Sequence, residues 1–191
     1  DWTWDDLRSA AEKLTGENAD GQTVVGLITP PNFERWLPFL YQAGGSVLND
    51  DWSEVTLDSD QAREALDFYV GMVTDGIAGP PSAVDAGWGG EAFGQGRAAM
   101  AMEGNWVIAY LQDQFPDLNW GVTELPKHPS GGQATMVFTV CYAVGAANDH
   151  PDESWKLVNF LTGPEGSKLV AEQGFGPTPP ARSAAETWLN A

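Results

Sequence analysis

The stretch from Phe93 to Trp106, FGQGRAAMAMEGNW, constrains the fold more than any other part of the chain. A short amphipathic segment ends in Gly94-Gln95-Gly96. The small apolar run Ala98 to Met102 then reads as a strand, Gly104-Asn105 turns the chain, and Val107 to Gln114 reads as a helix. A helix, a strand and a second helix joined by glycine turns predict an α/β chain. The same turn presents Trp106, a large flat ring at the end of a strand, where a ligand is readily met.

The pattern repeats elsewhere. Thr3 is placed to cap a helix over Trp4 to Leu14, with Asp5 and Asp6 in the first turn. Gly16 to Gly21 reads as a loop and Val24 to Ile28 as a strand. Thr29-Pro30-Pro31-Asn32 breaks the chain before a helix over Phe33 to Ala43, which Gly44-Gly45 stops. Val55 to Leu57 reads as a short strand. Asp58 caps the next helix, with Gln61 completing a capping box. The inner face of that helix carries Ala62, Ala65, Leu66, Tyr69, Val70 and Val73, and Asp75-Gly76 ends it. Ile77 to Gly90 reads as a Gly/Pro loop, Glu91 to Gln95 as a short helix and Trp120 to Val122 as a strand. Met136 to Gly145, the longest apolar run, reads as a buried strand that encloses Cys141. Pro151 opens a helix through Leu161, and a second runs from Pro164 to about Glu172. Gly174 to Ala181 reads as extended, and Ser183 to Leu189 as a last helical turn or two.

Charge narrows the partners. Twenty-seven acidic residues against nine basic ones give a net charge of −18. Such a field repels nucleic acid and anionic membranes and suits a soluble surface, a cationic partner or a salt-rich medium. No apolar run approaches the roughly 20 residues needed to span a bilayer. The single cysteine excludes an internal disulfide. His128 and His150 have no zinc-binding spacing and read as loop histidines. Phosphate-loop and nucleophile-turn motifs are absent. Asp58-Ser59-Asp60 lacks the glycine and glutamate of a calcium loop and reads as a helix cap. No metal or cofactor is expected. The enzymatic option left is a pair of carboxylates, Glu91 and Glu103, acting on a glycosidic bond.

The nine tryptophans say more. Trp4, Trp120 and Trp155 sit inside predicted elements and read as core, while Trp52 and Trp188 read as partial core or surface anchors. Trp36, Trp88 and Trp106 each adjoin a break, at Pro30-Pro31, at Gly87/Gly89-Gly90 and at Gly104-Asn105, so these are the candidate ligand contacts. A flat ring suits the apolar face of a pyranose, whose hydroxyls then need polar partners. Asn32, Glu103, Asn105 and Thr139 are candidates for that role. A quaternary amine stacked on the rings stays open as a competitor.

These same residues resemble the solute-binding proteins of ABC importers, in the extracellular family that takes sugars and oligosaccharides and includes maltose-binding protein. The resemblance rests on Thr3-Trp4-Asp5-Asp6-Leu7, Gln42-Ala43-Gly44-Gly45, Val55-Thr56-Leu57-Asp58 with Ala65-Leu66-Asp67-Phe68-Tyr69, the stretch Ala92 to Met100 with Gly104-Asn105-Trp106, and Trp155 to Leu161 with Thr162-Gly163-Pro164-Glu165-Gly166. The resemblance implies a type II periplasmic-binding-protein fold, with two α/β lobes, a sugar in the cleft between them, and lobe closure read by a membrane permease. It implies sugar stacking on Trp106, an aromatic from the segment Pro31 to Trp36 (Phe33 or Trp36), and a passage between lobes near Phe138 and Thr139. It further implies a non-enzymatic, monomeric, extracytoplasmic protein, in the periplasm or held at the cell surface by an upstream lipid anchor. The chain is short for the family. Most of the second lobe is expected at 1–125, a crossover at 126–145, helices returning to the first lobe at 146–175 and an extended tail at 176–191. A chain lacking the rest of its first lobe should expose apolar faces near Met136 to Val144 and around Trp155.

Overall fold

Helix α1 (Trp4–Leu14) begins as its sequence dictates. Thr3 is extended at φ −115° and its hydroxyl accepts the Asp6 N–H, while the Asp6 carboxylate accepts the Thr3 N–H, so two orphan amides of the first turn are satisfied. The helix buries Trp4, Leu7 and Ala11, the stripe its spacing predicts. A side chain at Gly26 would strike the Ala11 carbonyl, so α1 lies directly against strand β2 (Thr23–Ile28).

The computed structural model describes residues 2–172 and 182–189. Besides α1 and β2 they form β1 (Gly16–Glu17), α2 (Phe33–Gln42), α3 (Asp60–Thr74), β3 (Ala78–Gly79), α4 (Gly89–Gly94), β4 (Ala98–Ala101), α5 (Trp106–Gln114), α6 (Pro151–Thr162), α7 (Pro164–Glu172) and α8 (Ala185–Leu189). The chain divides into two compact units, Asp1–Glu103 with Asp117–Val137, and Gly104–Pro116 with Phe138–Ala191.

The first unit holds the sheet. Central β2 pairs in parallel with β3, Ile28 opposite Gly79, and with β4, Ile28 opposite Ala101; β1 pairs with it antiparallel. Parallel neighbours joined through helices are the α/β arrangement expected. The core gathers Trp4, Leu7 and Ala11 of α1, Phe39 and Leu40 of α2, and Ala62, Ala65, Tyr69 and Met72 of α3 around Leu27. Trp4 stacks on Phe68 with centroids 4.5 Å apart. Its Nε1 donates to Gln42 Oε1 at 2.7 Å, and Gln42 Nε2 donates to the Ala134 carbonyl at 2.8 Å. The returning segment is thereby tied to α1 and α2.

In the second unit Pro151 opens α6 and Gly163 ends it, so the break before α7 falls where the sequence puts it. Leu111 of α5 and Ser167 and Ala171 of α7 are buried.

Several expectations are corrected. Ser59, not Asp58, caps α3, its hydroxyl accepting the Ala62 N–H. The buried stripe of α3 is Ala62, Ala65, Tyr69 and Met72, which turns Leu66 and Val70 outward, 47% and 44% exposed. Val55 makes only an isolated bridge with Leu48, and Trp120 to Val122 forms no strand, with Trp120 half-buried. The 77–90 loop contains β3 and a 3₁₀ turn at Pro81–Val84, and the 16–21 loop contains β1. His128 is buried: its ring meets Trp4 edge-on at 4.6 Å, Nε2 lies 3.0 Å from Glu64 Oε1, and Nδ1 accepts the Ser130 N–H. Trp155 is 60% exposed rather than core, and Trp52 80% exposed.

The largest correction concerns Met136 to Gly145, which forms no strand. Val137 and Val140 are 81% and 82% exposed, and Cys141 is exposed as well. An apolar run becomes a buried strand only where a neighbour pairs with it, and no described strand does. The exposure expected from the resemblance is seen here and on α6, at Trp155, Leu157 and Phe160. The extended segment expected at Gly174 to Ala181 and the side chain of Trp188 lie outside the described residues.

Candidate functional site

The predicted site residues fall into two groups, one in each unit. In the first, they collect where the parallel strands end. The Thr29 N–H donates to the Gly79 carbonyl at 3.0 Å, and the Met102 N–H donates to the Ile28 carbonyl at 3.0 Å, so the exits of β2, β3 and β4 lie side by side. Ligands of open α/β sheets bind beyond such carboxyl ends. The Tyr69 hydroxyl donates to the Pro30 carbonyl at 2.7 Å and accepts from Thr29 Oγ1 at 2.7 Å, which braces the Pro30-Pro31 bend. Burial pushes the Tyr69 phenol up, so it remains a donor throughout the physiological range.

From that bend Asn32 caps α2, its Oδ1 accepting the Arg35 N–H at 3.0 Å. Phe33 follows, 46% exposed, with its ring 5.7 Å from that of Trp36. Trp36 packs in the core at 8% exposure. Its Nε1 is buried without a hydrogen-bond partner among the described residues. An orphan donor of that kind costs about 1–3 kcal/mol.

Arg35, which the sequence reading did not single out, meets Glu103. Its Nη2 donates to Glu103 Oε2 at 2.8 Å, with the two side chains 15% and 7% exposed. Gly89 backs onto the same carboxylate, and a side chain there would crowd Glu103 Oε1. Trp88, half-buried just before α4, folds its ring over Gly90. The first group therefore joins an exposed aromatic ring to a buried ion pair. A basic residue one turn past a Pro-Pro break, in a chain with nine bases, was the available signal for Arg35.

The second group is Asn105, Trp106, Phe138 and Thr139. Trp106 is the first residue of α5, preceded by Asn105. Its ring lies over Gly104, where a Cβ would collide with it. Phe138 meets Trp106 edge-on, with centroids 5.8 Å apart at 71°. Thr139 is exposed beside it in sequence.

The two acids proposed for catalysis have structural work. Glu91 Oε2 accepts the Gly87 N–H at 2.7 Å and Oε1 accepts from Gln95 Nε2 at 3.1 Å, while Glu103 holds Arg35. Among the described residues no cluster of His, Cys, Asp and Glu could hold a metal ion, and no helix is long and apolar enough to cross a membrane.

A mixed sheet whose aromatic and polar groups stand at strand exits defines a ligand-binding α/β protein rather than a recognisable catalyst. The chain belongs to the bacterial extracellular solute-binding protein family, whose pattern it matches over residues 1–191. A relative from Brucella abortus (strain 2308), described as a binding protein, is 25% identical over 98% of this chain and 46% of its own length. A Deinococcus radiodurans protein described as a "probable ABC transporter-binding protein" is 29% identical over 92% of this chain and 44% of its own. The chain thus spans about half the length of the curated relatives it matches.

Among solved structures, the ABC substrate-binding protein from Listeria monocytogenes in complex with cycloalternan superposes with a TM-score of 0.76. It is 24% identical and covers 100% of this chain and 48% of its own. The maltose/maltodextrin-binding domain from Bdellovibrio bacteriovorus bound to maltotriose gives 0.72 at 21% identity, covering 97% and 50%. The fold is that of type II periplasmic binding proteins, of which this chain spans roughly one lobe's worth.

Proposed function

We propose that the complete protein binds a carbohydrate between two lobes, outside the cytoplasm, and delivers it to the permease of an ABC importer without chemical change. The observation that carries this reading is the exposed Phe33 ring, backed by Trp36 and flanked by the Arg35–Glu103 pair. An aromatic face takes the apolar side of a sugar ring, and charged side chains donate to and accept from its hydroxyls. Trp106, held by Gly104 and Phe138, supplies a second stacking face. Cycloalternan, α-D-tagatose and maltotriose in the similar structures support the ligand class, and the Deinococcus relative's description supports the transporter.

On this reading residues 1–125 supply most of the second lobe, 126–145 the crossover and 146–175 helices that return to the first lobe. The intact protein is a monomer, and a lipid anchor upstream of these residues would hold it at the membrane. Closure of the lobes shifts a two-state population that the permease reads. Calorimetry of the intact protein against neutral mono- and oligosaccharides tests this. Saturable heat with a sugar supports it. Heat only with quaternary amines, which net charge −18 would favour, would move the ligand class.

A further inference from the structure

We infer that the Arg35–Glu103 ion pair sets the charge specificity of the site, so that the ligand is a neutral sugar and acidic and amino sugars are refused. The inference rests on the proposed carbohydrate site. Arg35 stands between Phe33, the exposed ring, and Trp36, the buried one, in the first turn of α2. Its guanidinium meets the Glu103 carboxylate at 2.8 Å, with only 15% and 7% of the two side chains exposed. Charges held so far from water are weakly screened, and a single unbalanced one would dominate the local potential. Gly89 leaves the carboxylate its place, since a Cβ there would crowd Oε1. The pair is therefore built in, and not a chance surface contact.

Its consequence for recognition is a matter of balance. Paired, the two groups offer a hydroxyl-bearing ligand donors and an acceptor with no net charge between them. A uronic acid would compete with Glu103 for Arg35 and leave one carboxylate without its counter-ion. A protonated amino sugar would do the reverse to Arg35. Either leaves a buried charge unpaired, which is the strongest form of rejection a polar site possesses.

The test uses the intact protein and its Glu103→Gln and Arg35→Gln variants, titrated calorimetrically with a neutral hexose oligosaccharide, the matching uronate and the matching amino sugar. Glu103→Gln should raise affinity for the uronate relative to the neutral sugar by about tenfold or more, and Arg35→Gln should do the same for the amino sugar. Circular dichroism and a thermal melt of each variant confirm that it folds. If one variant does not fold, the other still decides the outcome. Wild type that binds neutral sugars, with variants whose preference among the three ligands is unchanged, overturns this inference alone and leaves the pair as a brace between α2 and the end of β4. Wild type that binds none of the sugars overturns the carbohydrate reading and this inference with it. A wild type that prefers the uronate or the amino sugar overturns the inference while keeping the carbohydrate site.

Discussion

The Trp106 indole lies across Gly104, and Phe138 meets its edge with centroids 5.8 Å apart. The backbone under the ring has to be glycine, because any Cβ at 104 would occupy the ring's own place. Two substitutions follow. Trp106→Ala should weaken sugar binding by about 2 kcal/mol, roughly thirtyfold in Kd, the range of a buried aromatic anchor. Gly104→Ala should weaken binding in the same direction by re-aiming the ring, with the Trp106 side chain still present. Calorimetry gives both values. Unchanged affinity in both would remove Trp106 from the site.

Gln42 is 2% exposed and joins the Trp4 indole to the Ala134 carbonyl. Gln42→Leu keeps the approximate volume and strands a donor and an acceptor. At about 1–3 kcal/mol for each buried group left unsatisfied, the loss should be near 3 kcal/mol. Urea denaturation should show a lower midpoint with an unchanged slope. A loss under about 0.5 kcal/mol would mean that water replaces both bonds.

Gly26 faces the Ala11 carbonyl without room for a Cβ. Gly26→Ala should therefore separate α1 from β2 and cost about 1–3 kcal/mol, the scale of an overpacked core. A thermal melt reads it directly. An unchanged or higher melting temperature would show that the contact is not close.

Asp6 accepts the Thr3 N–H and the Thr3 hydroxyl, each at 2.8 Å, and these bonds hold its carboxyl below the usual carboxylate range. A carboxyl whose folded value is depressed stabilises the fold fully above its unfolded value. It loses that contribution as pH falls through the folded one. The stability gap between wild type and Asp6→Asn should accordingly be present at neutral pH, begin to close below about pH 4 and vanish in stronger acid. Denaturation curves along that pH series check the sign. A gap that widens toward low pH would reverse the assignment.

With 27 acidic residues and nine basic ones, self-repulsion opposes the compact state. Raising sodium chloride from about 0.05 M to about 1 M shortens the screening length from beyond 10 Å to roughly 3 Å and should raise the melting temperature. A melting temperature that falls with salt would place the ion pairs above the repulsion.

What the sequence showed and what it hid divide along physical lines. Local signals were legible: the Thr3 cap, the Asn32 start after Pro30-Pro31, the Gly76 stop and the Pro151 and Gly163 bounds each depend on residues within a turn of one another. Choices between adjacent equals were not, as with Ser59 over Asp58 at the head of α3. Nor was anything that needs a distant partner. Apolar character at Val137 and Val140 says only that the side chains dislike water, and burial requires a neighbour that the described residues do not provide. Arg35 and Glu103 lie 68 positions apart, so their pairing exists only once β2 and β4 are side by side. The tryptophans sorted the same way. Trp106 beside its glycine was legible, while Trp155 on a sound helical stripe is 60% exposed because a stripe does not name what covers it.

The central claim is retention of an intact neutral sugar. Equilibrium dialysis of the intact protein against a mixture of neutral oligosaccharides, followed by mass spectrometry of the bound fraction, measures it in one step. The account predicts at least one oligosaccharide held stoichiometrically and recovered with its mass unchanged. A bound fraction empty of sugar, or one recovered as shortened products, would contradict it.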